Sequence, residues 1–149
     1  MATVNPEGIC QIALVVRDIE KTARNFCEVF GLPMPEIFAL PPPEEAHTRF
    51  RGKPTRTQAR LAVFQMGPIV LELTEPDGEP SSWSDFLEKH GEGVHHIGFT
   101  VDDLPGTLSF LEGKGIPERH SGDYPGGRYV FVESAEKLGV LLNIKHDSQ

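Results

Sequence analysis

The chain has 149 residues, 38% of them hydrophobic, and a formal net charge of −8. That size suits one domain, or two small units sharing a core. The acidic balance excludes a nucleic-acid binder with its basic stripe and a protein docked on an anionic membrane, and no apolar run is long enough to span a bilayer.

Residues 9–16 are apolar and β-branched over too short a run for a helix, which predicts a strand. Asp18 is placed to cap a helix running to about Phe30, with Ile19, Ala23, Phe26 and Cys27 on one face and Gly31 ending it. A short strand is expected near Ile37–Leu40. A long loop over residues 41–58 opens on three prolines and carries Arg49, Arg51, Lys53 and Arg56. Strands follow at about 59–66 and 69–75, joined by a tight turn at Gly67-Pro68. Residues 81–90 read as a short helix capped by Ser81 or Ser82. Then come a strand at 94–101, a helix from about Pro105 to Glu112, and strands near 117–121, 128–133 and 139–145.

This order contains a repeat. Ile9-Cys10-Gln11-Ile12-Ala13-Leu14-Val15-Val16-Arg17-Asp18 returns as Val94-His95-His96-Ile97-Gly98-Phe99-Thr100-Val101-Asp102-Asp103. Further on, Val70-Leu71-Glu72-Leu73 returns as Leu141-Leu142-Asn143-Ile144. Two copies of one strand–helix–three-strand unit are implied. The expected fold is α+β, with two tandem βαβββ modules forming a cupped, mostly antiparallel sheet and helices on its outer face. Module one covers about 7–76, a linker helix about 81–90 and module two about 93–146, all within a single domain of residues 1–149.

Strand side chains alternate between faces. One face of each repeated strand is uniformly apolar: Ile12, Leu14 and Val16; Leu71 and Leu73; Ile97, Phe99 and Val101; Leu142 and Ile144. The opposite face carries Gln11, Glu72, His96 and Asn143, at equivalent places in the two copies. A polar side chain buried unpaired costs about 1–3 kcal/mol. Four at symmetric places point to a shared polar centre inside the cup, although any one alone would read as an ordinary strand residue. A carboxylate, an imidazole and two amide oxygens are a donor set for a divalent ion. By the same alternation His95 faces the helix side and reads as structural.

Taken together, the paired units resemble the vicinal oxygen chelate superfamily, which includes glyoxalase I, methylmalonyl-CoA epimerase, extradiol dioxygenases and antibiotic-resistance proteins. Gly91-Glu92-Gly93-Val94-His95-His96-Ile97-Gly98-Phe99 is especially similar to the epimerase branch, and Leu71-Glu72-Leu73-Thr74 to a glyoxalase I strand. The resemblance implies metal ligands at Gln11, Glu72, His96 and Asn143, and one divalent ion (Zn, Ni, Co, Mn or Mg) with no organic cofactor. It implies a lyase or isomerase acting next to a carbonyl of a small thioester or thiol-adduct substrate; with Asn143 standing where the family has its glutamate base, Glu72 is the only acidic group among the four that could move a proton and is the expected catalytic residue. At position 143 the family pattern has a glutamate, and asparagine cannot take up a proton at neutral pH. The epimerase's second glutamate has no counterpart in Pro54-Thr55-Arg56-Thr57-Gln58.

Two other readings stay open: a metal-free binder like the resistance proteins, and a metal-free isomerase or cyclase using Glu72 and His96 as acid and base. Arg56 and its basic neighbours are either a solvated loop or an anchor for an anionic tail. Trp83 and Tyr129 are either cup lining for substrate or packing. Neither nucleic acid nor membrane is expected as a partner. Family members build cups within one chain or across a dimer, so a homodimer is an open option. Cys10 and Cys27 read as free thiols, and the N-terminus lacks the basic-then-apolar order of a secretion signal, which together predict a cytoplasmic location.

Overall fold

The computed structural model describes residues 3–147; the first two residues of the N-terminal stretch considered above lie outside them. Strand β1 (Ile9–Val15) leads into helix α1 (Ile19–Phe30). Asp18 caps the helix by accepting the Lys21 N–H, and Gly31 ends it in the left-handed conformation at φ 68°. After β2 (Phe38–Ala39), β5 (Arg60–Met66) and β6 (Ile69–Glu75) complete the first unit, and α3 (Ser82–His90) leads to the second. Its elements are β7 (Gly93–Thr100), α4 (Leu104–Gly113), β8 (Glu118–Tyr124), β9 (Gly127–Val132), a one-turn helix α5 (Ala135–Leu138) and β10 (Leu141–Asp147). Asp103 caps α4 as Asp18 caps α1, so the repeat extends to the caps.

Residues 41–58 are more ordered than a plain loop. They hold helix α2 (Pro43–Ala46) and the two-residue strands β3 (Arg49–Phe50) and β4 (Lys53–Pro54), with β3 paired to β8.

One sheet of ten strands runs β2-β5-β6-β1-β7-β10-β9-β8-β3-β4. In each unit the first strand pairs in parallel with the last, β1 with β6 and β7 with β10, and the units join along the antiparallel β1–β7 seam. The registers match: Gln11 lies opposite Val70 and Ala13 opposite Glu72, while His96 lies opposite Leu141 and Gly98 opposite Asn143. Ion pairs from Arg60 to Glu20 (2.7 Å) and Glu75 (2.8 Å) tie α1 to the first unit.

Two clusters cover the outer face. Val16, Ile19, Ala23, Phe64 and Leu73 pack under α1, and Leu104, Leu111, Val130, Leu142 and Ile144 under α4. Helix α3, the linker helix, packs separately from these two clusters. Its Trp83 packs with Val15, Leu61, Tyr129 and Phe131, which seals one end of the inner face. The reason lies in its apolar residues, Trp83, Phe86 and Leu87, which find their apolar partners on that side.

Candidate functional site

The central strands β1, β6, β7 and β10 bring Gln11, Glu72, His96 and Asn143 to the wall of a single cavity of about 490 Å³. Gln11, His96 and Asn143 are buried and Glu72 is half-buried. Gln11 Oε1 is the hub: it lies 3.1 Å from His96 Nε2 and accepts from Asn143 Nδ2 at 3.2 Å. Thr74 Oγ1 donates to Glu72 Oε2 at 3.2 Å. Gly98 makes this packing possible. A Cβ there would lie 2.7 Å from Gln11 Oε1 and 3.0 Å from Gln11 Cβ.

Burial raises the Glu72 carboxyl to about 7, against the lowering effect of Lys145 and of hydrogen bonds from Thr74 and Gln11. His96 is pushed far below the ordinary imidazole range, by burial first and by the charges of His95 and Lys145 second, so its ring is neutral near pH 7. A carboxyl poised near neutrality beside a neutral imidazole is a pair able to hold or move a proton.

Most of the remaining wall is apolar: Phe38, Leu40, Leu61, Trp83 and Phe131 line it with Tyr129. Trp83 and Tyr129 therefore border the cup. Arg56 does not, since it lines a separate depression with His47, Thr48 and Arg49. Two charged residues not singled out as site residues from sequence also reach the cup: Glu45, exposed on α2, and Lys145 on β10. Lys145 was legible, because it stands two residues beyond Asn143 on the same strand face.

His95 breaks the expected alternation. Ala13 lies opposite His96 but Leu14 lies opposite Val94, so His95 is the extra residue of a β-bulge. The bulge brings His95 Nδ1 to 2.7 Å from His96 Nδ1, and His95 Nε2 lies 3.0 Å from Ser82 Oγ on α3. His95 is thus packed against the polar centre and not placed with the outer-face helices. A third buried histidine, His120, accepts the Ser82 N–H at its Nδ1 (3.2 Å), so its Nε2 carries the proton donated to the Tyr129 hydroxyl (3.2 Å).

The cup residues suit a divalent cation. Asn143 Oδ1 is buried with no hydrogen-bond partner among the described residues. Gln11 Oε1 has His96 Nε2 at 3.1 Å. Neighbouring ligands on an ion bonded at about 2.0–2.2 Å stand roughly that far apart. One neutral imidazole, two amides and a carboxyl form a mixed N/O set for borderline and hard cations. A second acidic group, Asp18, Glu20 and Glu75, also has the spacing for an ion, with ligand atoms within 4.8 Å of one another. Its carboxylates are already engaged by Arg60 and by the Ile19 and Lys21 N–H groups. Gly98→Ala is expected to displace the Gln11 amide and weaken zinc binding about tenfold in calorimetric titration, with the fold kept. Unchanged affinity would show that the Gln11 amide is not a ligand.

Comparison with known proteins gives a consistent result. Residues 10–131 match the Glyoxalase/Bleomycin resistance protein/Dioxygenase superfamily. The uncharacterized protein YqjC of Bacillus subtilis is 33% identical over 90 residues, covering 58% of this chain, and the chain spans only 64% of that relative's length. Human mitochondrial methylmalonyl-CoA epimerase is 26% identical over 138 residues, covering 90% of this chain and 70% of the relative. Among solved structures, a variant of Streptomyces coelicolor methylmalonyl-CoA epimerase in complex with 2-nitronate-propionyl-CoA superposes with a TM-score of 0.63 at 22% identity, covering 93% of both chains. With its curled ten-strand sheet and paired units, the chain belongs to the glyoxalase/bleomycin resistance protein/dioxygenase superfamily.

Proposed function

We propose that this protein is a metal-assisted isomerase or lyase that moves a proton on a carbon next to a carbonyl. The observation that carries this reading is Glu72: a half-buried carboxyl inside the cup, raised to about 7, beside three neutral nitrogen and oxygen donors. Gln11, His96 and Asn143, with Glu72, would hold a divalent ion, and that ion would supply Lewis acidity to the substrate's paired oxygens. Glu72 takes the proton from carbon and returns it. Trp83, Leu61 and Phe131 exclude water from the bound substrate and so strengthen every charge interaction around the reacting carbon.

The residue at position 143 narrows the chemistry. Inversion at one carbon needs an acid on the face opposite the base. Asn143 is no acid, and Glu45 stands exposed at the rim. A single carboxyl that removes and returns a proton suits a shift between neighbouring carbons better than epimerisation. Relatives that act on methylmalonyl-CoA support a thioester or thiol-adduct substrate of the same general kind.

Lys145 adds a charge preference. It is a cation on an otherwise largely apolar wall, and it forms no ion pair within 4.0 Å among the described residues. Lys145→Met is expected to raise KM about tenfold for a substrate carrying a carboxylate and to leave that of its neutral amide unchanged. Equal effects on both would remove Lys145 from substrate recognition.

The test of the proposed activity is proton exchange in D₂O. Protein loaded with Ni²⁺, Co²⁺, Zn²⁺ or Mn²⁺ is incubated with 2-oxoaldehyde–thiol adducts and acyl-CoA thioesters, and the proton next to the carbonyl is followed by NMR. Catalysed exchange that depends on the ion supports the reading. Tight ligand binding without exchange under any ion would favour the binder, a reading supported by the apolar wall and the missing acid at Asn143.

A further inference from the structure

The buried chain from Ser82 to Gln11 has a direction that hydrogen-bond accounting fixes. Asn143 Nδ2 can only donate, and it donates to Gln11 Oε1. The Gln11 carbonyl oxygen carries no hydrogen and can only accept, so His96 Nε2, which lies 3.1 Å away, carries a proton and donates. His96 is neutral, and its Nδ1 therefore bears a lone pair. His95 Nδ1, 2.7 Å from it, must supply the proton of that contact. His95 Nε2 is then an acceptor, and the Ser82 hydroxyl donates to it at 3.0 Å. By these contacts the chain runs Ser82 to His95 to His96 to Gln11, and His96 presents its Nε2–H to Gln11 Oε1.

That state cannot hold a cation at His96 Nε2, because a ligand nitrogen needs its lone pair. An ordinary metal-binding histidine is locked in the required tautomer by a carboxylate or carbonyl behind it, groups that only accept. Here the group behind it is an imidazole, and behind that a hydroxyl, each able to donate or accept. We propose that His95 and Ser82 form a tautomer switch for His96, exposing its Nε2 proton when no cation is bound and its Nε2 lone pair when one is.

The reversal balances. The His95 Nδ1 proton crosses to His96 Nδ1. The His96 Nε2 proton leaves into the cup, to water. One proton arrives from water at His95 Nε2, and the Ser82 hydroxyl turns from donor to acceptor. Each ring is neutral before and after, so no buried charge is created in the end states. A route for the incoming proton is present: Ser82 and His95 line a second cavity of about 530 Å³, with Asp85, Lys89 and Arg119. His95 lines this second cavity and His96 lines the cup, and the bulge at His95 puts the two rings in contact. His95 is a positioning residue in this scheme, acting on the cup only through His96.

The inference rests on the reading of the cup residues as cation ligands, and its first half is testable without a cation. Imidazole ¹⁵N NMR on histidine-labelled protein identifies which ring nitrogen bears hydrogen. In chelator-treated protein the expected tautomers are Nε2–H for His96 and Nδ1–H for His95. Saturating Zn²⁺ should invert both, to Nδ1–H for His96 and Nε2–H for His95. Nδ1–H on His96 before zinc, an unchanged His95 after zinc, or no response to zinc would each overturn the proposal. His95→Phe should weaken zinc binding about 10–100-fold. His95→Gln, whose amide can also donate or accept, should stay within about threefold of wild type. Equal losses in the two variants would mean His95 acts by packing alone and would overturn the switch. Since tautomer and affinity are read directly, absence of turnover would count against the proposed activity without touching this result.

Discussion

Glu72→Gln is expected to lower proton exchange by about 10²–10⁴-fold and, in the same protein, to raise the stability of the metal-free fold above pH 7. Both effects come from one carboxyl. Burial raises it from its ordinary 4.5 to about 7. In the unfolded chain it ionises near its ordinary value, while the folded protein still holds the proton. Between about pH 4.5 and 7 the unfolded state therefore releases a proton that the native state keeps, and native stability falls across that window before levelling off. Partial solvent contact reduces the full cost, leaving about 1–3 kcal/mol. Glutamine cannot ionise, so the variant should show no such fall. Thermal melts of both proteins at pH 5 and pH 8, with chelator present, measure the difference. Wild-type exchange rates in the variant would remove Glu72 from the chemistry, and parallel melts at the two pH values would show that its carboxyl is not strained by burial.

Asn143→Glu is expected to tighten divalent-cation binding about 10–100-fold and to destabilise the metal-free protein. Asn143 Oδ1 already lies buried without a partner, so a carboxylate oxygen can occupy much the same place. With an ion present, its charge adds attraction at the site. Without one, a second carboxyl shares a cavity with Glu72, and both buried acids disfavour ionisation. Competition against a fluorescent chelator reads the affinity, and melts with and without zinc read the linked stability. If affinity does not rise, residue 143 does not face the ion and the ligand set shrinks to three.

The repeat made the sheet legible. Matching strands at residues 9–16 and 94–101 placed Gln11 beside His96, and alternation put Glu72 and Asn143 on the same face, where the cavity lies. These features were visible because strand alternation is local and periodic. What stayed hidden depends on pairing between distant segments. The bulge that turns His95 toward His96 exists only against β1, since it is a mismatch in the β1–β7 register. No single-strand pattern encodes it. Strands β3 and β4 form where Arg49 and Phe50 meet Ser121 and His120 of β8, so residues 41–58 look structureless when read alone. Arg56 was grouped with the site by charge, yet charge does not say on which side of a rim a loop residue falls. Trp83 lay on a predicted linker, and its position inside the cup follows from α3 packing against Tyr129 and Phe131.

That placement of Trp83 gives the protein an optical reporter of its own. It is the sole tryptophan, its ring lies 4.6 Å from the His120 ring and 5.6 Å from that of Phe131, and it borders the cup. Indole emission from this chain comes from one side chain in one place, so a change on adding a compound reports on the surroundings of Trp83 at the cup wall. Its indole N–H is buried without a hydrogen-bond partner among the described residues, which leaves the fluorophore sensitive to any oxygen that arrives beside it. Compound collections can therefore be screened by quenching alone, before any substrate is known.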